Sequence, residues 1–285
     1  MRPGDAFVYH RAAYVGFMLL ALVVFLLARR VLPKPAGLAS LPWRKRAGLV
    51  LAAFVGGSLG GKLPFAVSAF AAWLSGSPRL DGRSFAAELL TAWVSDGKTI
   101  VAALIGAYVA VELAKRLLDV RIKTGDSFAV PLALALAVGR WGCFFNGCCY
   151  GVQTTVPWGV WFTVQGPDGL PHPMRCHPTQ IYESLFHFTM ALVLVWLTVH
   201  DLLPRQRLKL YLIAYGVYRF LTEFIRPEPV YWPGLTFYQW AALGLTAGLL
   251  VQWWIDGRPL APRVAGSETV NGTTLAASGG GGYNP

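Results

Sequence analysis

Long apolar runs separated by short polar breaks dominate the chain. Seven runs can be drawn, at about 12–32, 47–74, 98–118, 126–147, 178–200, 208–226 and 234–255. A helix needs about 20 apolar residues to cross a bilayer. The pattern therefore predicts an all-α, polytopic membrane helix bundle of about seven transmembrane spans. The second run contains Gly56-Gly57-Ser58-Leu59-Gly60-Gly61. Small residues four apart let helix backbones approach closely, so these glycines read as packing positions. Two connecting segments are turn-rich: 75–97, with Pro78, Asp81 and Gly82, and 150–177, with Pro157, Pro167, Pro171 and Pro173. Residues 256–285 end in Ser-Gly-Gly-Gly-Gly-Tyr-Asn-Pro and read as a disordered cytoplasmic tail. The expected organisation is a membrane-embedded domain over 1–255 followed by that tail. The first run lacks a small-residue cleavage site and is followed by Arg29, Arg30 and Lys34, so it reads as a retained span rather than a cleaved signal. No repeat of fixed period is visible.

Composition agrees with a membrane protein. Only 14% of the 285 residues are charged and mean hydropathy is +0.47, against about 25% charge in soluble domains. The net charge of +11 raises nucleic acid as a partner. The charges fall in short clusters between apolar runs, as in the loops of membrane proteins, and that argues against nucleic acid. Placing the N-terminus outside puts fifteen Lys and Arg in inner segments and seven in outer ones. This bias places the C-terminus in the cytoplasm and predicts a multi-pass membrane protein.

The candidate chemistry lies at one end of three spans. Gly139-Arg140-Trp141-Gly142-Cys143-Phe144-Phe145-Asn146-Gly147-Cys148-Cys149-Tyr150-Gly151 brings an arginine, an asparagine and three cysteines to the end of the fourth run. An intramembrane ionisable residue is a functional candidate; the plainer reading is one snorkelling arginine, and the density of polar groups speaks against it. The fifth run opens His177-Pro178-Thr179-Gln180-Ile181-Tyr182-Glu183. Proline suits a first helical turn, and His177, Gln180, Glu183 or Ser184, and His187 share one helix face. The sixth run ends with Arg219 and Glu223 at i, i+4 spacing. Arginine, carboxylate and imidazole thus converge at one depth, as a pocket for an anion. A guanidinium forks onto phosphate oxygens and keeps its charge when desolvated, and a phospholipid head group is the membrane anion at hand. The alternative is a set of buried ion pairs that hold helices in register. A solute or proton pathway through Glu112, Arg140 and Glu223 lacks the inverted repeats and broken helices of transporters.

These residues also carry a family resemblance. The fourth-run stretch resembles the signature of the bacterial prolipoprotein diacylglyceryl transferases, Gly-Arg-x-Gly-Asn-Phe-x-Asn-x-Glu-x-x-Gly, through Gly139, Arg140, Gly142, Phe144, Asn146 and Gly151. The stretch from His177 to Glu183 resembles the family's His-Pro-x-Gln-Leu-Tyr-Glu. Tyr218-Arg219-Phe220 with Glu223 is similar to its Arg-Phe-x-x-Glu element, and Gly60-Gly61-Lys62 to its Gly-Gly-Arg. The resemblance covers roughly 10–255. It implies transfer of a diacylglyceryl group from phosphatidylglycerol to the lipobox cysteine of a prolipoprotein, as a thioether, with glycerol phosphate leaving. The implied partners are phosphatidylglycerol, the lipobox peptide and membrane lipids, with no cofactor. By the resemblance, Arg140, Arg219, Glu223 and His177 belong to the catalytic group, and Asn146, Gly151, Gln180, Tyr182, Glu183 and Lys62 to the substrate site. Arginines suit a leaving phosphate oxygen. The acceptor must become a thiolate, and His177, Glu183 and Glu223 are the candidate bases. Beyond Lys62 for the family's arginine, two places depart from the pattern. Cys143 and Cys148 stand for the signature Asn and Glu, and Val101-Ala102-Ala103 stands for the family's His-Gly-Gly. A phospholipid-binding paralog without catalysis is the alternative function.

All four cysteines, Cys143, Cys148, Cys149 and Cys176, map to the outer end, an oxidising compartment where an even count permits disulfides. Three readings stand: a bridge from Cys148 or Cys149 to Cys176, small buried apolar side chains, or a reactive thiol at Cys148 acidified by nearby guanidinium groups. The bridge is the expected state. The Cys-x4-Cys-Cys spacing lacks the Cys-x2-Cys pairs of common zinc sites, so no metal is expected.

Overall fold

In lipid, backbone polar groups must be satisfied within the segment, and every apolar run becomes a helix. The computed structural model describes residues 10–32, 38, 40–74, 86–87, 90, 99–165, 170–231 and 233–257. Its long helices are α1 (Arg11–Val31), α2 (Trp43–Leu74), α3 (Ile100–Leu117), α4 (Asp126–Phe145), α5 (Thr179–Val199), α6 (Arg207–Thr222) and α7 (Phe237–Gly257). Each coincides with a run drawn from the sequence. Four of them, α1, α2, α4 and α5, are long and apolar enough to cross a membrane by length and composition. Most of the expected loop at 75–97, and the tail from 258 onward, lie outside the described residues.

The helices pack as neighbours α2–α3, α1–α4, α4–α5 and α6–α7, with α6 also touching α4 and α5. Val101, Ala129, Val130, Ala133, Ala191, Leu194, Tyr211 and Tyr215 form the core. Large apolar side chains face outward instead, among them Leu19, Leu26, Phe54, Leu185, Leu192 and Trp254. In water such an apolar surface would drive association; in lipid it is the solvent-matched face. The charged residues Arg140, Glu183, Arg219 and Glu223 are buried inside, the inversion expected when lipid is the solvent.

The two ends differ. At one end, the Asp126 carboxylate accepts hydrogen bonds from the backbone N–H groups of Arg205 and Arg207 at 2.6 and 3.1 Å. A negative charge there complements the start of α6. Asp256 of α7 binds Lys123 at 2.7 Å and also pairs with Lys209. This end collects Lys115, Arg116, Arg121 and Lys123 as well. At the other end lie the C-termini of α4 and α6 and the N-termini of α5 and α7. There the segment expected as a turn-rich surface loop contains a hairpin, β1 (Val160–Gln165) against β2 (Pro171–Cys176), antiparallel with Val160 opposite Cys176. Its Val-Trp-Phe-Thr-Val stretch is rich in strand formers. Phe162 is fully buried, stacked on Tyr150 at 5.2 Å and edge-on to Phe144 at 6.0 Å. That packing fixes the hairpin over the end of α4.

The closest helix contact is α2 on α3. A Cβ added to Gly106 would sit 2.2 Å from the Gly56 carbonyl oxygen, and one added to Gly60 would sit 2.4 Å from that of Ala102. The glycines seen in the sequence are thus the seam itself. Gly16 of α1 has nothing within 4 Å of an added Cβ. Gly106→Ala should cost about 1–3 kcal/mol by overpacking, and Gly16→Ala should change stability by no more than about 0.5 kcal/mol. Thermal unfolding of both variants in the same detergent checks this; equal melting temperatures would remove the seam from the account of stability.

Candidate functional site

The site begins with how α4 ends. Asn146 caps the helix and Gly147 follows with φ +61°, a left-handed conformation that glycine adopts without a Cβ penalty. Gly147 N–H donates to Phe144 O at 3.0 Å and Cys148 N–H to Cys143 O at 3.2 Å. This pair of bonds is a Schellman motif, which places the second residue past the cap over the helix's last turn. Cys148 therefore returns onto Cys143. Cys149 is also left-handed, at φ +64°, a conformation costing a non-glycine residue about 1–2 kcal/mol. The segment is clamped from α5: Thr179 Oγ1 donates to Cys149 O and Gln180 Nε2 to Cys148 O, both at 2.6 Å. The result gathers three thiols, with the sulfur atoms of Cys143, Cys148 and Cys149 all within 4.8 Å of one another.

Below this turn, α4, α5 and α6 meet at a carboxylate. Arg140 Nη2 pairs with Glu183 Oε1. Tyr215 O–H donates to the same oxygen at 2.6 Å. His187 Nε2 lies 3.7 Å from it, and the other ring nitrogen shares a 2.8 Å hydrogen bond with Tyr211. All these groups are buried. A second cluster follows along α6: Arg219 Nη2 pairs with Glu223 Oε2 at 2.9 Å, and Arg226 reaches the same oxygen only at 3.9 Å and Glu228 only at 3.8 Å. Thr236 Oγ1 donates to the other oxygen of Glu223 at 3.2 Å. The same hydroxyl accepts from Gln239 N–H, whose side chain accepts from Thr236 N–H, a capping box that starts α7. The two clusters lie within electrostatic reach, since Arg219 acts on Glu183 and Arg226 on Arg140. Among the described residues, the buried Nε–H groups of Arg140 and Arg226 have no hydrogen-bond acceptor. Such orphaned donors are expensive, and an anion would satisfy them.

A cavity of about 640 Å³ opens here, lined by Arg11, Asn146, Gly147, Cys148, Cys149, Tyr150, Arg226, Pro227 and Glu228. A larger one of about 920 Å³ lies at the basic end of the bundle, remote from these charges and mostly apolar in its lining.

Most residues singled out from sequence meet here: Arg140, Glu183, Arg219, Glu223, Gln180, Asn146 and the three cysteines. Gly151 has a packing reason, because a Cβ there would lie 2.6 Å from Ile225 O and 2.8 Å from His177 Cβ. His177 and Tyr182 turn to the segment ahead of the hairpin instead: their side chains hydrogen-bond at 3.2 Å, and Tyr182 OH accepts from Trp158 Nε1 at 2.7 Å. Lys62 is buried in α2 beside the Thr99 N–H to Gly61 O bond that precedes α3. Val101, at the place of the family's histidine, is buried in the apolar core. Arg226, Tyr211 and Tyr215 join the site from outside the sequence expectations. The i, i+4 and i, i+7 spacings from Arg219 back to Tyr215 and forward to Arg226 hold the missed signal.

The cysteine expectations need correction. All four are free thiols. Cys176 is held in β2, paired with Val160 and bridged to Gln153, and its Sγ–H points to Met174 O at 3.7 Å. It is not one of the three sulfurs that converge. The compartment argument for a Cys148–Cys176 bridge fails on this register. Hydrogen bonds from Cys143 and Cys148, and then the charges of Arg140 and Arg226, hold Cys149 well below the ordinary thiol value in spite of burial. Cys148 gains from its bond with Cys143 but is pushed up by the bond to Cys149 and by burial. Burial pushes the Cys176 thiol up to about 11.

The sequence also matches known proteins. The family profile described as prolipoprotein diacylglyceryl transferase matches residues 9–255. A phosphatidylglycerol–prolipoprotein diacylglyceryl transferase of Clostridium tetani is 35% identical over 183 residues, covering 64% of this chain and 68% of that protein. The protein of that name from Synechococcus elongatus is 33% identical over 180 residues, covering 60% and 62%. The second such transferase of Clostridium perfringens is 32% identical over 178 residues, covering 61% and 64%. The chain thus spans roughly two thirds of the length of these curated relatives. No solved structure matches.

The buried pair yields a stability prediction. Glu183→Gln leaves the Arg140 charge without its counterion, which should cost about 3–5 kcal/mol. Tyr215→Phe removes one hydrogen bond to that carboxylate and should cost about 1.5–3 kcal/mol. Thermal unfolding in detergent ranks them; a Glu183→Gln protein as stable as the parent would show that the pair is not what holds α4 to α5.

Proposed function

The chain belongs to the prolipoprotein diacylglyceryl transferase family, and from that premise we propose that it moves a diacylglyceryl group from phosphatidylglycerol to the lipobox cysteine thiol of a prolipoprotein. A thioether forms and glycerol phosphate leaves. The observation that carries this reading is the convergence of Arg140, Arg219 and Arg226 at one end of the bundle, two of them with an unsatisfied buried Nε–H. Arg140 and Arg219 hold the lipid phosphate and stabilise the charge that grows on the leaving oxygen. Among the described residues Arg226 has no contact shorter than 3.8 Å to a carboxylate, so it is the guanidinium with most to gain from an incoming anion. Glu183 already accepts from Arg140 and Tyr215 through one oxygen, so it acts as a positioning residue. Glu223 does the same for Arg219. Asn146 lines the mouth, and Gln180 holds the turn beside it.

The seven helices are seven spans, with residues 1–255 as the membrane-embedded domain in the bacterial inner membrane. The end that gathers Lys115, Arg116, Arg121, Lys123 and Lys209 faces the cytoplasm under the positive-inside rule. The charged site then faces the outer leaflet, where a lipidated acceptor would arrive. A reporter active only in the cytoplasm, fused after Gly257, should work, and its silence beside a working periplasmic reporter would invert this topology.

Purified protein with labelled phosphatidylglycerol and a lipobox peptide should yield diacylglyceryl peptide and one glycerol phosphate per transfer. Lipid binding without glycerol phosphate release would instead identify a non-catalytic paralog. Arg140→Lys should lower kcat/KM at least about tenfold, or 1.4 kcal/mol, because a point charge does not replace a planar fork. Full lipid binding in both Arg140→Ala and Arg219→Ala would remove the phosphate site.

A further inference from the structure

The transferase reading leaves one requirement unmet. The acceptor thiol must lose its proton, yet Glu183 is engaged twice, Glu223 is held by Arg219 and Thr236, and His177 is turned toward Tyr182. The three convergent thiols have no role in phosphate binding. The spacing Cys-x4-Cys-Cys spoke against zinc in sequence, but the Schellman turn brings its members together in space. Three sulfurs at about 2.3 Å from one tetrahedral zinc ion form a triangle with sides of about 3.8 Å. The sulfurs of Cys143, Cys148 and Cys149 all lie within 4.8 Å of one another, so small side-chain rotations close that triangle. The strained φ of Cys149, held by Thr179 and Gln180, keeps the third ligand in place. Zinc with three thiolates carries one net negative charge. Arg140 Nη1 lies 3.9 Å from Cys143 Sγ, and Arg226 lines the cavity that Cys148 and Cys149 face. Three protein ligands, not four, are the mark of a site that keeps a position for substrate.

We propose that Cys143, Cys148 and Cys149 form a zinc site whose open fourth position takes the acceptor thiol. The metal half of this proposal stands on the geometry; the thiol half rests on the transferase reading. On binding, the acceptor S–H proton goes to water and its sulfur joins the metal as a thiolate. A sulfur lone pair then forms the C–S bond at the glyceryl carbon, and the C–O bond breaks with its electron pair passing to the phosphate oxygen. The metal keeps its oxidation state and its three protein ligands throughout. The nucleophile is thereby held beside the guanidinium groups that receive the leaving phosphate.

The test uses the full-length reduced protein in detergent and Co(II) as a spectroscopic stand-in for zinc. One Co(II) per chain should bind with thiolate-to-metal charge-transfer absorption and be displaced by Zn(II). Cys143→Ser and Cys148→Ser should each weaken binding more than about tenfold, with helical circular dichroism unchanged; Cys176→Ser should bind like the parent. A lipobox peptide should intensify the absorption, and the same peptide with serine for its cysteine should not. No uptake by the reduced parent, or uptake indifferent to the Cys143→Ser and Cys148→Ser changes, overturns the site. Uptake without a response to the cysteine peptide overturns the open position. Transfer activity undiminished after chelation overturns the activating role and leaves the transferase reading intact. Uptake with a peptide response, but no glycerol phosphate release, keeps the metal site and sinks the transferase reading instead.

Discussion

A guanidinium and a carboxylate buried in an apolar medium hold the site end of this molecule together. Neither Arg140 nor Glu183 could be sheltered there alone, because the desolvation of one unpaired ion exceeds what helix packing returns. Their pairing fixes the relative height of α4 and α5, and Tyr215 adds α6 to the same oxygen. The charge inside is thus also a register device. The same attraction holds a guanidinium inside the bundle with one N–H still unspent.

The remainder of the site is arranged by helix ends rather than helix faces. Helix α4 stops in a Schellman turn, α5 starts beneath it with Thr179 and Gln180 bonding back to that turn, α6 runs into a short 3₁₀ turn at Glu223–Ile225, and α7 starts from a capping box. Helix ends carry unsatisfied backbone groups. Two of them are met from another helix: Asp126 of α4 accepts from Arg207 N–H at the start of α6, and Gln239 of α7 donates to Phe220 O near its end.

Much of this was legible in the sequence. Runs of bilayer length located all the long helices, since lipid demands both length and apolarity at once. The placement of Arg140, Glu183, Arg219 and Glu223 followed from helical spacing and from the direction of each span. The hairpin at 160–176 was hidden because its prolines and glycines read as turn signals, while burial of Phe162 against Tyr150 and Phe144 depends on residues brought in by another segment. The cysteines misled for a similar reason. Compartment and parity say nothing about geometry, and a single left-handed glycine at 147 decides which sulfurs meet. Strand register, invisible before pairing is known, keeps Cys176 apart from them.

Thr236 has one further consequence. Its hydroxyl both opens α7 and grips Glu223, the counterion of Arg219. A ribosome delivers residues 219–223 before it delivers 236. Until the last helix inserts, Glu223 lacks one of its partners and the basic cluster is held more loosely. Maturation of the site is therefore tied to completion of the chain, and a nascent bundle stalled before α7 would occupy the membrane without a finished charge cluster.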